Sequence, residues 1–203
     1  MNAPVDITDL TIETERLILR PWTLDDVDDL FEYASNPDVG PRAGWSPHKD
    51  KEESLQRVQH FIEGKKTFAL VYKENNKVIG SLGLEKYGSE DKLTEFFGLQ
   101  GREIGYVLSK DYWGKGLMPE AVTAVIHYCF NILNFDFLLC GHFDRNARSQ
   151  RVQEKVGFKP YRKLNFETPL GVVEPGVLRL MLNPNKNIKL VFSHPETLIN
   201  NEF

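Results

Sequence analysis

The 203 residues predict an α+β fold: a single domain with one twisted mixed sheet of about seven strands and about four helices on both faces. Three observations carry this expectation. Strand-like runs succeed one another without an intervening helix over 68–84 and again over 158–182, as in hairpins. A strand-like run, an amphipathic helical pattern and a further strand-like run follow in order over 103–143, which is the pattern of a βαβ crossover. The composition is that of a globular chain, with 41% apolar and 27% charged residues. A chain of this length buries roughly 70% of its unfolded surface, so it folds without metal or disulfide staples.

Each element has a local reason. ETERLILRPW opens the chain as a strand with Leu17 and Leu19 on one side of the pleat. Thr23 then reads as the N-cap of a helix whose first turn carries Asp25 and Asp26, where carboxylates suit the positive end of the dipole. Asn36-Pro37 ends it. A loop from Val39 to His48 leads to a second helix from Asp50 to Glu63, with Leu55, Val58, Phe61 and Ile62 at helical spacing. Phe68–Tyr72 and Val78–Leu84 form a hairpin around Glu74–Lys77, and a polar loop from Gly88 to Gly101 precedes the strand 103–108. The pattern predicts a helix from Pro119 to Leu133, with proline in the first turn where its missing N–H costs nothing. A strand at 137–143, a helix over 147–156 closed by Gly157, and strands at 158–166 and 177–182 complete the domain, taken as 1–183. The extension 184–203 reads as an extra strand at 188–192, a partner-contacting arm or a frayed tail.

Twenty-five basic and 29 acidic side chains leave a net charge of −4, which argues against broad binding to nucleic acid. No apolar run reaches the length of a membrane span, and MNAPVDITDL lacks the apolar core of a secretion signal. Cys129 and Cys140 have no zinc-like spacing and read as small buried hydrophobes. No metal is expected, and the chain reads as cytoplasmic.

The most informative stretch is REIGYVLSKDYWGKGLMPEAVTAVIHYCF. It joins a strand to an amphipathic helix through Gly114-Lys115-Gly116. Glycines there admit close backbone approach, and the first-turn amides of the following helix point outward unpaired, as in an anion site for phosphate or pyrophosphate. The plainer reading is a strand-to-helix turn that needs glycine. Two common phosphate loops fail: no glycine stands five positions before Gly114-Lys115, and a GxGxxG count from Gly114 ends on Pro119.

Trp113-Gly114-Lys115-Gly116-Leu117-Met118 resembles the acyl-CoA signature Gln/Arg-x-x-Gly-x-Gly/Ala of the GCN5-related N-acetyltransferase (GNAT) superfamily. Gly116 matches, whereas Trp113 and Met118 depart from the first and last positions. The wording around Trp113 is similar to that of the RimJ/RimL branch, which acetylates ribosomal-protein N-termini. TERLILRPWTLDDVDDLFEYASNPDV resembles that branch's opening strand and helix. Asn146-Ala147-Arg148-Ser149 with Glu154-Lys155-Val156-Gly157-Phe158 resembles its NxxS…EKxGF motif. The likeness runs from about Thr11 to Leu182.

The resemblance implies acetyl transfer from acetyl-CoA to a primary amine, either a protein α-amine or a small-molecule amine, by direct attack in a ternary complex. It places the pyrophosphate on Gly114–Met118, with Trp113 and Lys115 in the same turn. It also places the thioester oxygen near the amides of Val107 and Leu108. Glu103 is the candidate base, its plainer role being a strand-end charge paired with Lys or Arg. Ser149 is the candidate acid for the departing thiolate, or else a helix-surface hydroxyl. Asn146 holds the pantetheine amide or caps its helix. Tyr106 is an alternative acid or base, or a packed core tyrosine. The acceptor pocket is expected to use the Val39–His48 loop, the second helix and the Gly88–Gly101 loop with Phe96 and Phe97. Trp45 and His48 line it, or His48 is structural, and Asp25, Asp26, Asp28 and Asp29 form a solvated face or an acidic rim attractive to cationic peptides or polyamines. A homodimer is compatible with the branch. The competing class is an acyl-CoA-binding sensor without turnover.

Overall fold

The computed structural model describes residues 1–88, 93–190 and 199. Its strands are β1 (Ile12–Glu13), β2 (Leu17–Pro21), β3 (Thr67–Tyr72), β4 (Lys77–Glu85), β5 (Gly101–Leu108), β6 (Phe137–Phe143), β7 (Lys159–Glu167) and β8 (Val173–Leu182). The helices are α1 (Val27–Ala34), α2 (Lys51–Gly64), α3 (Leu117–His127) and α4 (Ala147–Lys155). One mixed sheet of order β1-β2-β3-β4-β5-β6-β8-β7 holds all eight strands. Only β5 and β6 run parallel; every other neighbouring pair is antiparallel. The α+β class and the four helices agree with expectation, and the eighth strand is β1, whose two residues are too few to show a period.

β3 is buried on both faces, which explains its unbroken apolar run. Phe68 and Leu70 join Leu17, Leu19, Leu82 and Ile104 beneath α3, which contributes Val122 and Val125. Ala69 and Val71 face the other way, onto Leu30 and Tyr33 of α1, Val58 of α2 and Trp22. At the far end of the sheet, Phe96 stacks on Phe137 with centroids 4.1 Å apart, in a third cluster with Tyr161 and Leu178.

Capping sets the helix starts. Asp26 accepts from the Thr23 backbone N–H at 2.8 Å, and a single 3-10 turn separates that cap from α1. Asp50 accepts from the Glu53 N–H at 2.9 Å and opens α2. Gly157, at φ +100°, follows α4. Three boundaries differ most from expectation. α3 ends at His127 and passes into a π-helical turn, Tyr128–Ile132, before the expected end at Leu133. α3 starts at Leu117 rather than Pro119, because Gly116 at φ +78° turns the chain into the helix two residues earlier. β8 starts at Val173, because Glu167 and Val173 still pair across the β7–β8 hairpin. Residues 188–190 form no strand, and 191–192, the rest of the extra strand considered above, lie outside the described residues.

Candidate active site

β5 and β6 pair at Gly101↔Phe137, Arg102↔Leu138 and Glu103↔Leu139, and then part. β5 stays paired to β4 on its other edge as far as Leu108, so from Ile104 onward the edge towards β6 has no strand partner. A cavity of about 810 Å³ opens there, which is the size of a small-molecule site. On one side it runs beneath the 39–48 loop and α2; on the other it passes the 113–118 turn and α4.

The turn is built to approach a ligand. The Trp113 indole Nε1 donates to the Leu108 carbonyl at 2.9 Å. Gly114 and Gly116 both sit at φ +78°, a conformation that L side chains rarely adopt. A Cβ added at Gly114 would meet nothing within 4 Å, so the backbone there is open on that side. Leu117 and Met118 lead α3 with amides that have no intrahelical partner, and Pro119 has none to offer. Both side chains are buried against α3's core, which absorbs the bulk of Met118. Lys115 stands in the turn as an exposed side chain, its ammonium 5.0 Å from the Tyr112 ring centroid, and is not among the residues that line the cavity.

On α4, Asn146 is the cap. Its Oδ1 accepts from the Ser149 N–H at 3.2 Å, and its Nδ2 donates to the Arg42 carbonyl at 3.0 Å. Ser149 lines the cavity and is no surface hydroxyl. Its Oγ lies 2.9 Å from the Tyr106 hydroxyl and accepts from Gln153 Nε2 at 3.1 Å. The Tyr106 hydroxyl also donates to the Ser149 carbonyl at 3.1 Å. Burial pushes the Tyr106 phenol well above its ordinary pKa, so it stays protonated at neutral pH and acts as a hydrogen-bond partner, not a base.

Glu103 occupies the opposite face of β5 from Tyr106, as the alternation of a strand requires. Its carboxyl lines the cavity. Burial raises its pKa to about 7; a hydrogen bond from the Gly141 N–H works against that rise, and the nearby Glu85 carboxylate adds to it. The plainer expectation of an ion pair is not met among the described residues: it is Glu85, directly across on β4, that pairs with Lys66.

Trp45 and His48 line the α1/α2 side of the cavity, their rings 5.4 Å apart. His48 Nδ1 lies 2.8 Å from Ser54 Oγ, and burial together with the Arg57 charge lowers its pKa. Phe96 is core and Phe97 is exposed; neither reaches the cavity. The acidic rim is absent from it too. Asp26 is bound by the Arg20 guanidinium, Asp28 pairs with Lys51, and Asp29 accepts from the Val78 N–H at 2.7 Å. Asp26 is claimed by capping and Asp29 by the sheet, while Asp25 and Asp28 are exposed on the solvated face. Among the described residues no group of His, Cys, Asp and Glu is arranged to hold a metal, and no helix is long and apolar enough to cross a membrane.

Residues 16–159 match the family described as the acetyltransferase (GNAT) domain. The chain belongs to the GNAT acetyltransferases. It is 32% identical over 155 residues to an N-acetyltransferase of Bacillus licheniformis called p20, itself described as uncharacterized, covering 73% of this chain and 82% of the relative. Its fold is similar to that of a putative ribosomal-protein-serine acetyltransferase from Vibrio cholerae (TM-score 0.67, 21% identity, 86% of this chain and 98% of the other). It is also similar to the microcin C7 self-immunity acetyltransferase MccE, solved with acetyl-CoA and AMP (TM-score 0.70, 16% identity, 87% and 98%).

In this GNAT enzyme several site residues escape sequence reasoning. Glu120 of α3 accepts from Arg16 Nε at 2.7 Å, from the Arg16 N–H at 2.8 Å and from Thr14 Oγ1 at 2.6 Å. Arg16 in turn donates to the Lys115 carbonyl at 2.9 Å, tying the glycine turn to β2. Both residues lie inside motifs quoted above, but their 104-residue separation hides the pairing. Gln153 is fully buried and donates from Nε2 to the Gly141 carbonyl at 2.9 Å. Its Oε1 lies 2.8 Å from His142 Nδ1, which must then carry a proton. No local pattern marks either residue.

Proposed function

We propose that the protein transfers the acetyl group of acetyl-CoA to a primary amine, of a protein N-terminus or a small molecule, by direct attack within a ternary complex. The observation that carries this reading is the placement of Glu103 and Ser149 on two sides of one cavity, at the point where β5 and β6 part beside the glycine turn.

The residues present suit acetyl-CoA. Gly114, Gly116 and the amides of Leu117 and Met118 offer a backbone cradle for the pyrophosphate, with Trp113 and the Lys115 backbone completing the turn and Asn146 ordering the start of α4. The open edge of β5 offers amides near Val107 and Leu108 as donors to the thioester oxygen. Bound acetyl-CoA supplies an acetyl thioester with CoA as leaving group. Glu103, with a pKa of about 7, takes a proton from the acceptor ammonium. An α-amine, with a pKa of about 8, needs less help than a lysine side chain. Ser149 Oγ gives a proton to the departing sulfur, held in place by Tyr106 and Gln153. We take 1–183 as the catalytic domain and the cytoplasm as its setting, a reducing compartment that suits the two buried free cysteines.

The test is thermal unfolding with acetyl-CoA, CoA, ATP and NAD in parallel, followed by thiol release with amine acceptors. At 100 times its Kd a ligand adds about 2.7 kcal/mol, a shift of roughly 5 to 10 °C for a chain of this size. A shift with the CoA ligands alone, and thiol release on adding an amine, is the expected result. No shift at millimolar acetyl-CoA overturns the reading. A shift without release from any amine leaves a sensor.

A further inference from the structure

The chain has ten arginines. Among the described residues Arg16, Arg20, Arg145, Arg162 and Arg179 pair with carboxylates, and Arg102 donates to the Ala3 carbonyl. The remaining four, Arg42, Arg57, Arg148 and Arg151, make no ion pair there, and all four line the one cavity. Among the described residues its wall carries two carboxylates, Glu103 and the Glu85 already held by Lys66; the Asp38 carboxylate near Arg42 and Arg148 is paired with Lys110.

The four do not form one cluster. Arg151 shares α4 with Lys155. Arg42 and Arg57 belong to the loop and helix over the opposite face of the sheet, where Trp45, Phe61 and Trp113 pack against the α1/α2 core. Leu117 and Met118, which head the anion-binding turn, belong to the core on the other face. Arg42 and Arg57 thus line the α1/α2 side of the cavity, with Trp45 and His48, which is the side we assign to the acceptor. Arg42 Cζ lies 5.5 Å from the Trp113 ring centroid, and Arg148 reaches the same ring at 4.6 Å. The Nε of Arg42 is buried and has no hydrogen-bond partner among the described residues. Arg57 rests on the Phe61 ring at 5.9 Å. Glu53, one turn before Arg57 on α2, accepts from the Lys49 N–H at 2.8 Å. A buried donor without an acceptor is costly, and an anionic group that reaches the Arg42 Nε relieves that cost.

Resting on the acetyl-transfer reading, we infer that the acceptor is a small primary amine bearing an anionic group, a carboxylate or a phosphate, which Arg42 and Arg57 bind while its amine faces Glu103. The site then discriminates by charge at both ends: a carboxylate for the ammonium, guanidiniums for the anion, and aromatic walls between them. Polyamines and cationic peptides are repelled at the arginine end.

Matched acceptors test this by thiol release in the full-length protein: phenylalanine against phenylalaninamide, O-phosphoethanolamine against ethanolamine, and spermidine as the cationic comparator. The acidic member of at least one pair is expected to have a kcat/KM at least tenfold higher, and the pair that responds separates carboxylate from phosphate. R42Q and R57Q should each raise KM for that acceptor by about 10- to 100-fold and abolish the preference within the pair, and R57K should recover part of it. Arg57 is exposed on α2, so its substitution leaves the fold intact even where R42Q does not. Preference for the amide, for ethanolamine or for spermidine overturns the inference. So does the failure of every probe to react, or to shift the unfolding of the CoA-loaded protein, while acetyl-CoA itself raises the unfolding temperature. If acetyl-CoA does not bind, the parent reading falls and takes this one with it.

Discussion

Replacing Glu103 by glutamine should make the protein more stable and less active, and the stability gain should depend on pH. The Glu103 carboxyl has a folded pKa of about 7 against an ordinary 4.5. A carboxyl raised in this way favours the folded state in its protonated form, so the folded protein loses stability as pH climbs from 4.5 to 7 and stays at the lower level above that. Linkage puts the penalty at about 1 kcal/mol at pH 5 and about 3 kcal/mol at pH 8. Glutamine keeps an oxygen for the Gly141 N–H and carries no charge, so it removes the titrating part. Urea unfolding of both proteins at pH 5 and pH 8 should therefore show the stability difference growing by about 2 kcal/mol in favour of the variant. The same variant should lose about 10²- to 10⁴-fold in turnover and the acidic limb near pH 7. A stability difference that is equal at the two pH values refutes the burial of this charge, and an unchanged pH–rate profile refutes its role as base.

Ser149→Ala should lower turnover by about 100-fold with acetyl-CoA affinity unchanged, read by steady-state kinetics and by thermal shift; unchanged turnover removes Ser149 as the acid. Gly114→Ala, at φ +78° with open space beside it, should cost about 1 to 2 kcal/mol of stability through backbone strain and raise KM for acetyl-CoA, without any clash inside the protein. Glu120→Gln should cost about 1 to 2 kcal/mol and raise KM for acetyl-CoA several-fold by freeing Arg16 and the turn. Burial alone would raise the Glu120 pKa, but its bonds to Thr14 and Arg16 outweigh that and hold it low. Its contribution is thus present above pH 4.5 and lost as pH falls through the lower folded value, so wild type and variant should converge in acid.

Most of the architecture was legible along the chain because it rests on local signals. Leu17 and Leu19 alternate, Val122 and Val125 recur at helical spacing, Thr23 and Asp26 cap, and Gly157 closes a helix. The glycine turn was legible for the same reason, since two left-handed residues and a helix start need only their own neighbours. β1 is too short to carry a period, and the written signal for α3 begins late because Pro119 is stronger than the glycine before it. Phe96 illustrates the opposite error: an aromatic in a polar loop looks available for a ligand, yet it is spent on stacking Phe137.

What no reading along the chain supplies is the spending of charge. The acids at 25–29 look like a rim until Arg20, Lys51 and the Val78 amide are seen to claim three of them. The arginines look alike in sequence until five are found paired and four are found facing one cavity. Glu103 looks like an ordinary strand-end carboxylate until the parting of β5 and β6 buries it beside Glu85 and against the Gly141 amide. Periodicity, caps and turn residues act over a few neighbours and are written in order along the chain. Pairing and desolvation depend on distances between segments as much as a hundred residues apart, so only the folded sheet could decide which charges remain free to do chemistry.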